Sequence, residues 1–313
     1  MEAVIQVKNL SRNFGRLTVV DRLNFEVYKG EIFGFLGPNG AGKTTTVRML
    51  TGVITPSGGT VEIENHDIIK EPLLSRAHIA VVPEQANVYL DLTVWQNVML
   101  MGQLYGIDKF KLHREADNLL DTIGLKDRKR QKACELSKGF RQRLMLAAAL
   151  VTKPDILFLD EPTSGLDVKS TRLIHQIITD LNHKGQTIFL TTHNMTEASQ
   201  MCGRVAIIHK GKIAAIDNPE SLRLTISSHQ YVEVYFAAKP ADCVDLESLP
   251  NVLGIEANEL NFKLYTNTPG RVAVEVVRLA DEKGLEIKHL CTCKPTLDEV
   301  FLHFTGKENR EKV

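Results

Sequence analysis

The segment GPNGAGKTTT, Gly37–Thr46, constrains the fold more than any other part of the 313-residue chain. Its order of glycine, four residues, glycine, lysine and threonine fits a phosphate-binding loop. The run IFGFLG that leads into it reads as a strand, and a helix is expected from about Lys43 to Leu50. Glycines between Gly37 and Gly42 let backbone amides turn toward a polyphosphate. Lys43 can reach the terminal phosphates, and Thr44 can place its hydroxyl on magnesium.

A second constraint is ILFLDEP, Ile156–Pro162, four apolar residues followed by two acids. An apolar strand inside a parallel sheet is ordinary. Adjacent carboxylates at its end are not, because buried charge without a partner is costly. Magnesium would supply that partner: Asp160 would bind it directly or through water, and Glu161 would polarise an attacking water as general base. The third is ELSKGFRQRL, Glu135–Leu144, where Ser137 is placed to cap a helix. A helix start is also an anion site, since its first amides have no partner. One chain thus carries two phosphate grips far apart in sequence.

Around these motifs the pattern is mixed. AVIQVKNL alternates as a strand, and LTVVDRLNFEVYKGEIFGFLG holds two more extended runs broken at Lys29-Gly30. Another strand pair is expected around GTVEIENHD and HIAVVPE. From Leu92 to Val151 apolar residues recur every three or four positions, which predicts a helical region with Trp95 in its core. DILFLDE and QTIFLTTH read as strands with the helix VKSTRLIHQIITDLN between them, a β-α-β rhythm that implies a parallel sheet covered by helices. RVAIIHKGKIAAID reads as a closing hairpin. Beyond Asn218-Pro219 the chemistry stops. SHQYVEVYF, ELNFKLYT, GRVAVEVVRLADEKG and LEIKHL give a small strand-strand-helix-strand unit. A last helix begins at PTLDEVFLHF, where Thr296 and Glu299 fit a capping box and Leu297, Val300, Phe301 and Phe304 share a face.

Composition narrows the function classes. Lys plus Arg equals Asp plus Glu at 38 each, which argues against a nucleic-acid binder. No apolar run approaches the ~18 residues of a membrane span, and MEAVIQVKNL lacks a basic-then-apolar signal. A cytoplasmic location is expected, with a partner holding the chain at any membrane it serves. The cysteines, Cys134, Cys202, Cys243, Cys291 and Cys293, are scattered. Cys291 and Cys293 read as reduced thiols on a strand rather than a metal or redox site.

Over about residues 3–222, these motifs in this order resemble the ATP-binding subunits of ABC transporters. The glycine loop resembles Walker A, and ILFLDE resembles Walker B. Gln85, in VVPEQ, lies at the place of the Q-loop glutamine. SGLD, Ser164–Asp167, resembles the D-loop, and His193, ending TIFLTTH, is similar to the switch histidine that meets the γ-phosphate. Phe14, in NLSRNFG, takes the place of the aromatic that stacks on adenine. The implied fold is α/β, a P-loop NTPase core of ABC ATPase type with an antiparallel β subdomain and a helical subdomain at about 86–150. A small α+β C-terminal domain would follow the ATPase domain, the two spanning 1–222 and 223–313.

LSKGF resembles the family's signature, commonly LSGGQ. Ser137 and Gly139 match, Lys138 replaces a glycine and Phe140 replaces the glutamine. Lys138 lacks glycine's backbone freedom, though its charge can help hold phosphate. Phe140 cannot make glutamine's hydrogen bonds. Arg141 and Arg143 read as surface charges. In the family two subunits meet head to tail, so that Ser137 of one would cover ATP held by the glycine loop of the other. The resemblance therefore implies ATP and Mg2+ as ligands. The nucleotide would be held by Phe14, Gly37, Pro38, Asn39, Gly40, Ala41, Gly42, Lys43, Thr44, Thr45, Ser137, Gly139 and Asp167. Thr44, Gln85 and Asp160 would hold the metal, and Glu161, His193, Gln85 and Lys43 would carry hydrolysis. It also implies a homodimer on the inner face of the cell membrane beneath a separate permease. The tail TLDEVFLHFTG resembles exporters of the drug-resistance and sodium-extrusion branch. The alternative is a soluble ABC ATPase acting on ribosomes or DNA. Those commonly carry two cassettes or a long coiled coil, and this chain shows one cassette and no heptad insert.

Overall fold

The runs IFGFL, ILFLD and TIFLTT become central strands because every residue in them is buried, the pattern of strands covered on both faces. The computed structural model describes residues 2–225, 230–238 and 244–306. Cys243, and Ser228 and His229 of one expected strand, lie outside the described residues. Two compact units divide at Asn218/Pro219.

In the first unit the order is β1 (Ala3–Phe14), β2 (Leu17–Tyr28), β3 (Ile32–Leu36), α1 (Lys43–Leu50), β4 (Gly58–Ile63), β5 (His66–Asp67), α2 (Pro72–Ala77) and β6 (Ile79–Val82). Then come α3 (Val94–Leu104), α4 (Lys109–Thr122), α5 (Lys138–Leu150), β7 (Ile156–Asp160), α6 (Val168–His183), β8 (Thr187–Thr192), α7 (Met195–Met201), β9 (Arg204–His209) and β10 (Lys212–Asp217). One sheet has the order β10-β9-β3-β8-β7-β6, parallel except for the β9/β10 hairpin. The other is antiparallel, β2-β1-β4-β5. Phe25 from β2 joins the two layers, its ring 5.6 Å from Phe33 and 6.2 Å from Phe189. The expected strand pair of GTVEIENHD and HIAVVPE does not pair with itself. β4 alternates and buries only Val61 and Ile63, so it suits the antiparallel layer. β6, apolar throughout and buried at all but Val81, takes the edge of the parallel sheet beside β7.

The helices α3, α4 and α5 start on side-chain caps from Thr93, Asp108 and Ser137. Trp95 is not in their core. The buried stripe of α3 runs through Val94 and Val98, and Trp95 falls one position off it. Its ring is half-buried, 5.3 Å from the His113 ring and 5.0 Å from the Lys129 ammonium.

The second unit runs α8 (Pro219–Leu224), β11 (Tyr231–Phe236), α9 (Val244–Glu247), β12 (Gly254–Asn258), β13 (Asn261–Tyr265), α10 (Pro269–Glu282), β14 (Ile287–Cys293) and α11 (Leu297–Gly306). Its antiparallel sheet has the order β12-β13-β11-β14. Val272, Val276 and Ala280 of α10 pack with Val232, Val234, Phe262 and Leu264. β12 and α9 add to the expected unit. β12, GIEAN, is a short edge strand with no buried residue, so it lacks the apolar content that marks the other strands. The capping box of α11 is present in both directions, with Leu297 and Val300 buried and Phe301 and Phe304 half-buried.

Candidate active site

Strand register assembles the site. Leu36 pairs with Thr192 and Asp160 with Thr191. Gly37, Glu161 and His193 therefore leave the sheet side by side at the strands' C-terminal edge, where parallel sheets take their ligands. Glycine is required at two loop positions. A Cβ on Gly37 would stand 2.4 Å from the Ile208 carbonyl oxygen, and Gly42 precedes α1 with φ 106°. Pro38, Asn39 and Gly40 are exposed, Ala41 is buried, and Thr44 and Thr45 are half-buried. No acidic side chain occupies the first turn of α1, so its unpartnered amides are open to an anion.

Lys43 is 5% exposed, and its Nζ donates to the carbonyls of Gly37 at 2.8 Å and Pro38 at 3.2 Å. The same ammonium lies 3.0 Å from Glu161 Oε1, while His193 Nδ1 meets Glu161 Oε2 at 2.7 Å. Glu161 is thus a buried carboxylate clamped on both oxygens. Its backbone is left-handed, φ 48°, a conformation that costs a non-glycine residue about 1–3 kcal/mol. Two donor-acceptor contacts hold that turn: the Glu161 amide donates to the Thr191 carbonyl and to Thr191 Oγ1, each at 3.1 Å.

Asp160, 5% exposed, accepts from Thr191 Oγ1 at 2.5 Å. Among the described residues no salt bridge reaches it. It lines a recess of about 500 Å³ together with Thr44, Gln85, Glu84 and Asn87. The three residues assigned to magnesium, Thr44, Gln85 and Asp160, therefore share one cavity. Their donors are all oxygens, the set a hard divalent cation prefers. A buried carboxylate without a cation fits that ion, and the glycine cradle fits a polyphosphate.

Two supporting residues carry no motif. Thr191 serves both acids at once; its only trace is a polar end on an apolar strand, LTTH. Glu197, 3% exposed, accepts from Thr163 Oγ1 and meets His175 Nε2, each at 2.7 Å. Burial alone would raise its pKa, but hydrogen bonds from His175, Thr192 and Thr163 bring it below the usual glutamate value. Nothing in the local sequence of Glu197 marks it.

The signature segment gathers elsewhere. Ser137 is exposed and caps α5, its Oγ accepting from Phe140 N at 3.4 Å. Gly139 is buried against α6, where a Cβ would meet Ser170 Oγ at 2.4 Å. Lys138 lies in the ordinary helical first turn of α5, so glycine's freedom is not needed there. Its Nζ donates to the Ser164 carbonyl at 2.7 Å. Asp167 caps α6, accepting from Ser170 N at 2.9 Å and Ser170 Oγ at 2.8 Å, and these bonds lower its pKa. Phe140 lies between the guanidinium groups of Arg128 and Arg143, 4.2 and 4.3 Å from its centroid. Arg143 is accordingly not a surface charge: it is buried and donates to the Ile123 carbonyl at the end of α4. Arg141 is half-buried and donates to the Leu136 carbonyl at 2.9 Å. Phe14 is 48% exposed with the Arg12 guanidinium 4.6 Å above its ring. Among the described residues, no hydrogen bond joins Phe14, Ser137, Gly139 or Asp167 to the glycine loop.

Comparison with known proteins agrees with this geometry. The family described as ABC transporter matches residues 20–164. The linearmycin resistance ATP-binding protein LnrL of Bacillus subtilis is 31% identical over 98% of this chain and all of its own length. Nod factor export ATP-binding protein I of Paraburkholderia xenovorans is 36% identical over 99% of each chain. Daunorubicin resistance ATP-binding protein DrrA3 of Streptomyces coeruleorubidus is 33% identical over 99% of this chain and 98% of its own. Among solved structures, the ATP binding subunit of an ABC transporter superposes with a TM-score of 0.65 at 28% identity, covering 71% of this chain and 92% of that one. CbiO1 of Clostridium perfringens gives 0.66 at 26%, covering 71% and 91%. Glycine cradle, paired acids and full-length likeness converge: the chain belongs to the ABC transporter family, as an ATP-binding subunit that hydrolyses ATP.

Proposed function

We propose that the chain powers export through a separate membrane permease, working as a homodimer at the inner face of the cell membrane with Mg2+ at each nucleotide. The observation that carries its chemistry is the clamp on Glu161. In this reading, Lys43 leaves Glu161 Oε1 for the incoming phosphates. The freed carboxylate accepts a proton from the attacking water. His193 holds the other oxygen through Nδ1, and its Nε2 can meet the γ-phosphate. Bound magnesium supplies charge neutralisation on the phosphate oxygens; Thr44, Asp160 and Gln85 would hold it. Phe14 would stack on adenine. Gly37–Thr45 would wrap the phosphates, and Ser137, Gly139 and Asp167 of the second protomer would complete the enclosure. ATP would favour the closed dimer because only there does the γ-phosphate touch both protomers.

The ATPase domain at 1–222 would drive the permease through the helical region at about 86–150 and the Gln85 loop, with 223–313 as an accessory domain. Support for export comes from the relatives above, whose names speak of export and resistance and which align over the second unit as well. No helix among the described residues is long and apolar enough to cross a membrane, so a permease would supply the span. The reading in which the chain acts on ribosomes or DNA draws no support from these relatives or from the zero net charge.

The test is Glu161→Gln. ATP binding should persist, phosphate release should fall by at least about 10²-fold, and gel filtration should show an ATP-dependent dimer. Undiminished hydrolysis would remove Glu161 as the base.

A further inference from the structure

The second unit carries a donor cluster that ATP hydrolysis does not use. Val232 and Val234 of β11 face the core with α10, so Tyr231 and Glu233 fall on the opposite face of the sheet. In the antiparallel register Cys291 stands across from Glu233, and Cys293 from Tyr231. The two-residue spacing on β14 sends both thiols to that same face. Their Sγ atoms are 3.3 Å apart, and Cys291 Sγ is 3.9 Å from Glu233 Oε2. One donor atom from each of the three residues lies within 4.8 Å of the others, and all three side chains are half-buried. Asn261 Nδ2 donates to Glu233 Oε1 at 2.8 Å, which fixes the carboxylate and leaves Oε2 on the cysteine side.

We propose that Glu233, Cys291 and Cys293 form a zinc site, with water completing the fourth position. Two thiolates and a carboxylate are a softer set than the oxygen-only recess beside Asp160, and they select zinc over magnesium. Zinc–sulfur bonds of ~2.3 Å at tetrahedral angles place two sulfurs about 3.8 Å apart, and a ~2.1 Å zinc–oxygen bond places sulfur and oxygen about 3.6 Å apart. The Cys291–Cys293 and Cys291–Glu233 pairs reach these values by shifts of about half an ångström or less, and the Cys293–Glu233 pair, within 4.8 Å, closes by rotation of the side chains. Binding exchanges two thiol protons, released to solvent, for two zinc–sulfur bonds, with no change of oxidation state. The ion would staple β14 to β11 on the face of the sheet opposite α10.

The experiment is a cadmium titration of the reduced full-length chain, read by thiolate-to-metal charge-transfer absorption, with zinc as competitor. Expected is one saturable equivalent that zinc displaces. Cys291→Ser and Cys293→Ser should each abolish the band or weaken binding by more than about 100-fold, and Glu233→Gln should weaken it by about 10-fold or more. Cys134→Ser, which removes an exposed thiol far from the cluster in sequence, should leave the band intact. Melting curves on the serine variants separate lost ligation from lost folding. Absence of a saturable band, or a band that survives both serine substitutions in folded protein, would overturn the site. So would recovery of Cys291 and Cys293 as a disulfide that reductant does not open to metal.

Discussion

Lys138 shows what a single residue can do that a motif does not state. Its position in LSKGF promised a charge for phosphate, yet its ammonium is bonded to the Ser164 carbonyl, in the segment that resembles the D-loop. One hydrogen bond at an exposed site is worth about 0.5–1.5 kcal/mol net, so its loss corresponds to about tenfold in rate at most. Lys138→Met should therefore leave nucleotide affinity of the isolated protomer unchanged and lower ATP turnover by no more than about tenfold. A fall beyond about 100-fold would show that the charge serves the phosphate in the assembled dimer instead. The difference between the two readings was not legible in the sequence. Ser164 is 26 residues away from Lys138, and only the fold brings them together. The glycine loop and the acids at Asp160 and Glu161 were legible because each motif is local and its backbone is dictated by residue type. Thr191 and Glu197 were not, since their partners lie on other strands and helices.

At the scale of elements, α5 and α6 approach so closely that Gly139 has no room for a methyl group: its Cβ would stand 2.4 Å from Ser170 Oγ and 2.8 Å from Ser170 Cβ. Overpacking of this kind costs about 1–3 kcal/mol. Gly139→Ala should lower stability by that amount in urea unfolding. In a Ser170→Gly background, where the obstructing atoms are gone, the same substitution should cost close to nothing, a coupling that a double-mutant cycle reads directly. Equal cost in both backgrounds would place the strain elsewhere. The strands and helices themselves were largely readable: central β3, β7 and β8 from continuous apolar runs, and α6 from its period, which buries Ile174, Ile177 and Ile178. What failed was pairing and facing. Whether β4 joins β6 or β1 depends on which sheet has an open edge, and whether Trp95 or Val94 points inward depends on a helix rotation of one position. Neither is encoded in periodicity alone.

For the whole molecule the question is whether one nucleotide is held by one chain or by two. The structure groups Lys43, Glu161 and His193 tightly, and separately ties the start of α5 to Ser164 and Ser170, with no hydrogen bond from Ser137 to the glycine loop among the described residues. Two half-sites on one protomer are the arrangement that a two-fold, head-to-tail dimer would complete twice. Mixing makes the distinction. A Ser137→Ala protomer keeps its lysine, and a Lys43→Ala protomer keeps its serine. If sites are shared, a random equimolar mixture forms about half heterodimers, each with one intact site of two, or about a quarter of the wild-type sites. If each site belongs to one chain, every site in the mixture lacks one of the two residues and nothing is recovered. In a Glu161→Gln background, ATP retained after rapid desalting counts sites without requiring turnover. Retention near a quarter of the wild-type stoichiometry, against almost none for either variant alone, is the outcome expected. Retention no higher than in the separate variants would mean that the second phosphate grip on α5 does not serve its mate.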